Sequence, residues 1–133
     1  EPARSVDERR AKTSPAKDVA GMLRSLDYAA HTANLRMAES ATIDHDYARE
    51  LIDSWREHAT RAFLEGYQAA AADIASMPKD VGNANRMLEF FILEKALYEI
   101  SYEAANRPDW LAIPLTGVLR LLDEDNPGQG YFQ

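Results

Sequence analysis

Residues 86–105 form the most restrictive pattern in this chain, an apolar run of helical period that covers half of a helix circumference or more. At about 100° per residue, its apolar side chains fall into two adjoining arcs. A helix with so wide an apolar surface needs neighbours on several sides, so we expect it to be the central helix of the fold. The arcs contain Phe90, Leu93, Leu97, Ile100 and Ala104, and Met87, Phe91, Tyr98, Tyr102 and Ala105.

Glu94 lies where the two arcs join. A carboxylate within an apolar surface must be paired or border a polar pocket, because an unpaired buried charge is very unfavourable. In the structural interpretation its partner is Arg107, Arg24 or a backbone N–H. In the functional interpretation Glu94, Tyr98 and Tyr102 border a pocket in which aromatic faces and phenol groups suit a sugar, although they would equally suit the rim of a core.

The other polar residues of this stretch predict its surface and its end. Glu99 and Glu103 lie opposite the apolar arcs, where we expect ordinary surface charges. Pro108 ends the helix, and Arg107 in the last turn complements the helix dipole and can bridge carboxylates from two helices. Trp110 is expected to plug the space beneath the next helix.

Three further segments have helical period, which predicts an all-α fold of about four helices. Ser14-Pro15 starts helix 1, which runs into the thirties; Asp44 or Asp46 caps helix 2, and Pro78 ends it. Asn83 or Asn85 is expected to cap helix 3, and Pro114 lies in the first turn of helix 4. The predicted core positions are Val19, Met22, Leu23, Leu26, Ala29, Ala30 and Ala33 in helix 1, Leu51, Ile52, Trp55, Ala59, Ala62, Phe63, Tyr67, Ala70 and Ile74 in helix 2, and Leu115, Val118, Leu119 and Leu122 in helix 4.

A length of 133 residues allows a single domain. No segment alternates with period two, so no strand is predicted. We divide the chain into an extended arm over residues 1–13, a helical domain over residues 14–125 and a tail over residues 126–133. The final Tyr-Phe-Gln matches the end of a common protease-tag remnant, so the tail is left outside the fold prediction.

Charge and residue content exclude several functions. With 15 Lys and Arg against 22 Asp and Glu, the net charge of −7 argues against nucleic acid or an anionic membrane as partner. There is no cysteine, no apolar run near the ~20 residues of a membrane span and no signal peptide, which is compatible with the cytoplasm. Asp44-His45-Asp46 is interpreted as a polar loop and helix cap rather than a metal site, and no catalytic set or phosphate loop is found.

Two long motifs carry a resemblance to a known family. The segments DVAGMLRSLDYAA (residues 18–30) and FFILEKALYEISYEAANRPDWLAIPL (residues 90–115) resemble the C-terminal part of bacterial maltokinases, enzymes often fused to or partnered with trehalose synthase. The arm and Ser14-Pro15 also look like that family. The resemblance covers about residues 1–122, although residues 35–85 match mainly in pattern.

The resemblance implies the helical C-lobe of an aminoglycoside-phosphotransferase or protein-kinase-like fold. Such enzymes use ATP and Mg²⁺ to convert maltose to maltose 1-phosphate for α-glucan synthesis from trehalose. The family's catalytic Asp and its metal-binding Asp-Phe-Glu-Gly segment would both precede Glu1. We therefore expect no catalytic residue, metal or cofactor in this chain, and no kinase activity from it alone.

On the acceptor side, the resemblance makes helix 3 the best candidate wall of the maltose pocket, through Glu94, Tyr98, Tyr102 and Arg107. Asp18 and Arg24 could instead brace the catalytic loop from behind. A competing interpretation is a non-catalytic helical interaction module that docks trehalose synthase or the N-terminal part of the kinase. A third is an unrelated helical domain that binds a small molecule.

Overall fold

The structure is a computed structural model that describes residues 14–40, 42, 44–71, 78–123 and 130–133. In these ranges it contains four α-helices and no strand, which confirms the predicted all-α class. The predicted arm, Ile74 and residues 126–129 of the tail lie outside the described residues. The helices are α1 (Ala16–Ala38), α2 (His45–Ala71), α3 (Val81–Asn106) and α4 (Ala112–Leu122), with a 3₁₀ turn at Pro108–Trp110 between α3 and α4.

The first two helices begin close to where their capping residues predict, with Pro15 rather than Ser14 in the N-cap position of α1. The Ser14 hydroxyl accepts the backbone N–H of Ala16 at 3.3 Å. At α2, one carboxylate oxygen of Asp44 accepts the backbone N–H groups of Asp46 and Tyr47, both at 3.1 Å. Each side chain satisfies donors that a helix N-terminus leaves without a partner inside the helix.

Helix α3 begins five residues earlier than the predicted start at residue 86. Its cap is Asp80, whose carboxylate accepts the backbone N–H of Asn83 at 2.8 Å from an extended backbone conformation. The prediction of Asn83 or Asn85 as cap is therefore wrong, because Asp80 already satisfies the first turn and Gly82 continues the helix.

Helix α1, rather than α3, is the hub of the fold, meaning the helix that contacts all of the other helices. It packs against α2, α3 and α4, whereas α3 packs against α1, the 3₁₀ turn and α4. Small buried residues such as Ala16 and Ala20 allow its neighbours to approach closely. The prediction of a central α3 is confirmed only in part: α3 has neighbours on several sides, but its apolar residues spread around most of the helix, and periodicity alone could not select the buried face.

The buried face of α3 differs from the predicted arcs. Phe90 is 62% exposed and Leu97 is also exposed, while Glu99 and Glu103 are buried. The predicted apolar arcs and the predicted exposure of the two glutamates are therefore both wrong here. The reason is that α1 covers the carboxylate side of α3 and leaves part of its apolar side open. The buried residues of α3 are Ala84, Leu88, Ile92, Ala96, Glu99 and Glu103.

The main core joins α1, α2, α3 and the end of the chain. Phe132, in the tail that the fold prediction omitted, is 3% exposed and belongs to this core. The core cluster consists of Val19, Ala20, Leu23, Leu64, Ala84, Leu88, Ile92 and Phe132.

Parts of the predicted apolar stripes of α2 and α4 face outward. Leu51 and Trp55 of α2 are exposed, and Leu119 of α4 is 67% exposed. α4 packs instead through Ile113, Pro114 and Gly117. No helix in the described part of the chain is both long and apolar enough to cross a bilayer.

Candidate functional site

The contact between α1 and α3 carries a series of polar pairs that run in the same direction along both helices. Ser14 contacts Met87, Lys17 contacts Glu94, Arg24 contacts Glu99 and Tyr28 contacts Glu103. The two helices therefore lie side by side and parallel. Residues four apart on a helix share one face, so Arg24 and Tyr28 meet Glu99 and Glu103 one turn apart.

Arg24 is almost completely buried in this contact, with 1% of its surface exposed. Its Nε and Nη2 atoms donate to Oε2 of Glu99 at 2.8 and 2.7 Å, and its Nη1 donates to Oδ2 of Asp27 at 2.7 Å. Burial raises the pKa of Glu99 above its usual range, although the positive charge of Arg24 opposes this effect. The guanidinium is held on two sides and fixes the position of Glu99.

One turn further on, Glu103 is held by Tyr28 and Arg107. Its Oε1 accepts the Tyr28 hydroxyl at 2.9 Å and Arg107 Nη2 at 2.7 Å, and its Oε2 accepts Arg107 Nε at 2.9 Å. Burial, followed by the nearby charge of Glu99, raises the pKa of Tyr28, so the phenol remains protonated and donates at neutral pH. Both oxygens of Glu103 are thus engaged.

Above these carboxylates lies an open groove of about 400 Å³ between α1 and α3. The rings of Tyr98 and Tyr102 stack along one side, with centroids 6.4 Å apart and planes 21° apart. Lys95 Nζ lies 5.3 Å from the Tyr98 ring centroid, and Arg107 Cζ lies 5.7 Å from that of Tyr102. The groove is lined by Gly21, Ser25, Tyr28, Lys95, Tyr98, Glu99, Tyr102, Glu103 and Arg107.

The structure brings together three of the four predicted site residues, because Tyr98, Tyr102 and Arg107 all line this groove. Glu94 is not among the lining residues. Its carboxylate lies 3.4 Å from Lys17 Nζ, and its side chain is 38% exposed. The expectation that Glu94 pairs with Arg107, Arg24 or a backbone group did not include this lysine, which lies in the first turn of α1.

Arg107 has a more local role than the predicted bridge between two helices. It forms a bidentate ion pair with Glu103 on its own helix, four residues earlier. Its guanidinium also lies over the Trp110 ring, 4.4 Å from the centroid. Trp110 packs beside Tyr28 at 6.2 Å between centroids, so the tryptophan supports the end of the groove.

Sequence reasoning missed three residues that line the groove, namely Tyr28, Glu99 and Glu103, and it missed the pairing of Arg24 with Glu99. Each helix carries its pair at a spacing of four, which is the signal that could have identified them. That spacing becomes informative only once the two helices are known to be parallel neighbours.

A second charged cluster lies on the other side of Arg24. Arg56 Nη1 and Arg120 Nη1 lie 3.5 and 3.4 Å from Oδ1 of Asp27, beside a cavity of about 200 Å³ that Glu89 also lines. Asp27 therefore joins α1 to α2 and α4, and its role is structural.

The chemistry of the groove is that of a polar aromatic surface. Its carboxylates are fixed by arginines, and Tyr98, Tyr102 and Ser25 line it beside them. Across the described ranges, no group of three or more His, Cys, Asp or Glu side chains could hold a metal ion. The chain matches no protein-family model.

Proposed function

We propose that this chain is the acceptor-side helical part of a maltokinase-like phosphotransferase, and that the groove between α1 and α3 contacts the sugar. The observation that carries the proposal is the stacked pair of Tyr98 and Tyr102 above carboxylates that are already fixed by arginines. Further support comes from the all-α fold and from the resemblance of residues 18–30 and 90–115 to the C-terminal part of maltokinases.

The arrangement suits a neutral sugar better than a charged ligand. Glu99 and Glu103 are each neutralised by an arginine, which leaves no uncompensated carboxylate on the floor. An aromatic side chain offers an apolar face together with a polar tip, so Tyr98 and Tyr102 can contact the C–H groups of a sugar ring and bind its hydroxyls. The groove is open, which is suited to a disaccharide such as maltose bound from one side.

The proposal assigns no chemical step to this chain. In phosphoryl transfer, metal ions and a catalytic base position the reactants and stabilise the developing charge. The resemblance places the aspartates that do this, and the binding of ATP and Mg²⁺, in a part of the family outside the matched segments. We therefore expect the 133-residue chain alone not to phosphorylate maltose, and a clear ATP-dependent rate from the purified chain would contradict this.

The sugar contact is tested by titrating the chain with maltose, using calorimetry for affinity and NMR for the location of the shifts. We expect shifts at Tyr98 and Tyr102, and Tyr98→Ala should weaken binding by about tenfold, equivalent to about 1.4 kcal/mol. Glu94→Gln is the matched control, because Glu94 lies on the same helix outside the groove lining. The proposal fails if maltose leaves the tyrosine signals unchanged, or if the two substitutions weaken binding equally.

A second candidate is a non-catalytic helical interaction module. The observation that favours it is the outward stripe of Leu115, Leu119 and Leu122 on α4, since exposed apolar surface is typical of an interaction site. The expected partner is trehalose synthase or the remaining part of the kinase. In a binding assay with these proteins, Leu119→Lys should reduce the association and Tyr98→Ala should not; the reverse result would favour the sugar groove.

A further inference from the structure

The last four residues of the chain lie between α2 and the first turns of α3. Phe132 enters the core there, 3% exposed, and joins the cluster that contains Leu64 and Leu88. Its ring centroid lies 6.3 Å from that of Tyr67 on α2. The contact is therefore built around the buried Phe132, with Tyr131 partly buried beside it.

The backbone of the same segment is held by side-chain amides from both helices. Asn85 of α3 makes two bonds to Phe132: its Oδ1 accepts the Phe132 N–H at 2.8 Å, and its Nδ2 donates to the Phe132 carbonyl at 3.2 Å. Gln68 of α2 donates to the carbonyl of Gln133 at 3.0 Å. Because the Asn85 side-chain amide bonds both the N–H and the C=O of Phe132, it takes the place of the hydrogen-bonded residue that a neighbouring β-strand would supply.

Two open spaces adjoin the segment, and Tyr131 lines both of them. One is the cavity of about 200 Å³ that contains Arg56 and Arg120. The other, of about 420 Å³, lies along α2 and is lined by Leu64 and Gln68. The segment thus lies in a trough with room beside it.

We propose that this trough is a peptide-binding groove for an extended segment with two adjacent aromatic residues, and that the chain's own residues 130–133 occupy it. Backbone hydrogen bonds combined with a pocket for one side chain are the recurring means of binding extended peptides. Asn85 supplies the backbone bonds, and the cluster around Leu88 supplies the pocket. The groove accepts the same type of segment from another chain when its own segment is displaced.

The link between α4 and residues 130–133 determines how strongly these residues compete with a free peptide for the groove. Residues 123–129 join Leu122 to Gly130, and a short tether gives a bound segment an effective concentration in the millimolar range. A free peptide must therefore displace a local competitor. Weakening the anchor of the attached segment should make the groove available.

The test uses a fluorescein-labelled hexapeptide with the sequence of residues 128–133 and measures its binding to the full chain by fluorescence polarisation. We expect the Phe132→Ala variant to bind the peptide at least about tenfold more tightly than the unmodified chain, because the attached competitor has lost its anchor. Adding Asn85→Ala to that variant should remove most of this binding. Asn83→Ala is the matched control, since Asn83 is an exposed asparagine half a turn away on the same helix.

Three results would overturn the proposal: equal peptide binding by the unmodified chain and Phe132→Ala, equal effects of Asn85→Ala and Asn83→Ala, or equal binding of a peptide whose phenylalanine is replaced by alanine. If Phe132→Ala does not fold alone, millimolar peptide should restore its helical circular dichroism and cooperative melting. A variant that stays unfolded under that condition would contradict the proposal equally.

Discussion

Glu94 and Glu99 belong to the same helix, five residues apart, yet their environments are opposite. Glu94 pairs with Lys17 near the surface, whereas Glu99 is buried against the fully enclosed Arg24. A surface pair contributes little to stability, while removing one member of a buried pair leaves an uncompensated charge in the protein interior. The two glutamates therefore allow a surface ion pair and a buried ion pair to be compared within one helix.

We expect Glu99→Ala to lower the free energy of unfolding by about 3–5 kcal/mol, because Arg24 would remain buried with Asp27 as its remaining carboxylate partner. Glu94→Ala should cost less than about 1 kcal/mol. The measurement is urea denaturation at neutral pH. In the double variant Arg24→Met with Glu99→Leu, most of the loss should be recovered, since apolar residues can replace a buried pair. Equal losses of unfolding free energy for Glu99→Ala and Glu94→Ala would contradict the assignment of Glu99 to a buried pair and Glu94 to a surface pair.

Prediction from sequence at this scale succeeded where the signal was local. The starts of α1 and α2 follow from Ser14 and Asp44, whose side chains accept the next few backbone N–H groups. The burial of Glu99 could not be predicted in the same way, because it depends on which face of α3 meets Arg24. For the groove, the aromatic wall of Tyr98 and Tyr102 was predicted, while the ionic floor was not.

At the scale of elements, α4 packs closely against α1 at a glycine, while its Leu115, Leu119 and Leu122 are exposed. A methyl group at Gly117 would overlap Nη1 of Arg24, whose guanidinium is fixed by Glu99 and Asp27. The absence of a side chain at Gly117 allows the helix to lie directly against the buried arginine. The predicted leucine stripe of α4 faces outward for the same reason.

This arrangement predicts opposite outcomes for two helical glycines. Gly117→Ala should destabilise the protein by about 1–3 kcal/mol, because the new methyl group has no room beside Arg24. Gly66→Ala in α2, where no atom lies within 4 Å of the added methyl group, should stabilise it by about 0.5–1 kcal/mol through helix propensity. Thermal unfolding followed by circular dichroism compares the two. Stabilisation by both substitutions would show that α4 can move away from Arg24.

For the whole molecule, the contact pattern makes α1 the element on which the others depend. It packs against all three other helices, and its residues Val19, Ala20 and Leu23 lie in the main core. The first half of α2 is different, because Ala48 is its only buried residue before Leu64. Stability should therefore vary strongly along the chain.

Hydrogen exchange followed by mass spectrometry tests this distribution. Amides in the middle of α1, around residues 19–24, should exchange slowest and only through global unfolding. Amides in residues 48–58 of α2 should exchange markedly faster, because few buried contacts hold them. Slower exchange in α2 than in α1 would contradict the role of α1 as the hub.

The fold class and the approximate positions of the four helices were predictable, because helical period and capping residues are local properties of the sequence. The arrangement of the helices was not, because α3 has apolar residues on nearly every side and offers several faces for burial. The buried residues Arg24, Glu99 and Glu103 decide among these faces, and their effect depends on contacts between distant parts of the chain.

The polar pairs between α1 and α3 also fix the register of the two helices. Apolar side chains tolerate sliding, whereas a shift by one turn would move Arg24 opposite Glu103 and leave Glu99 buried without its guanidinium. Such misaligned states are disfavoured by an unpaired charge and not only by poorer packing. Glu99 and Glu103 thus select one parallel alignment of α1 and α3, although the apolar surface of α3 would accept several.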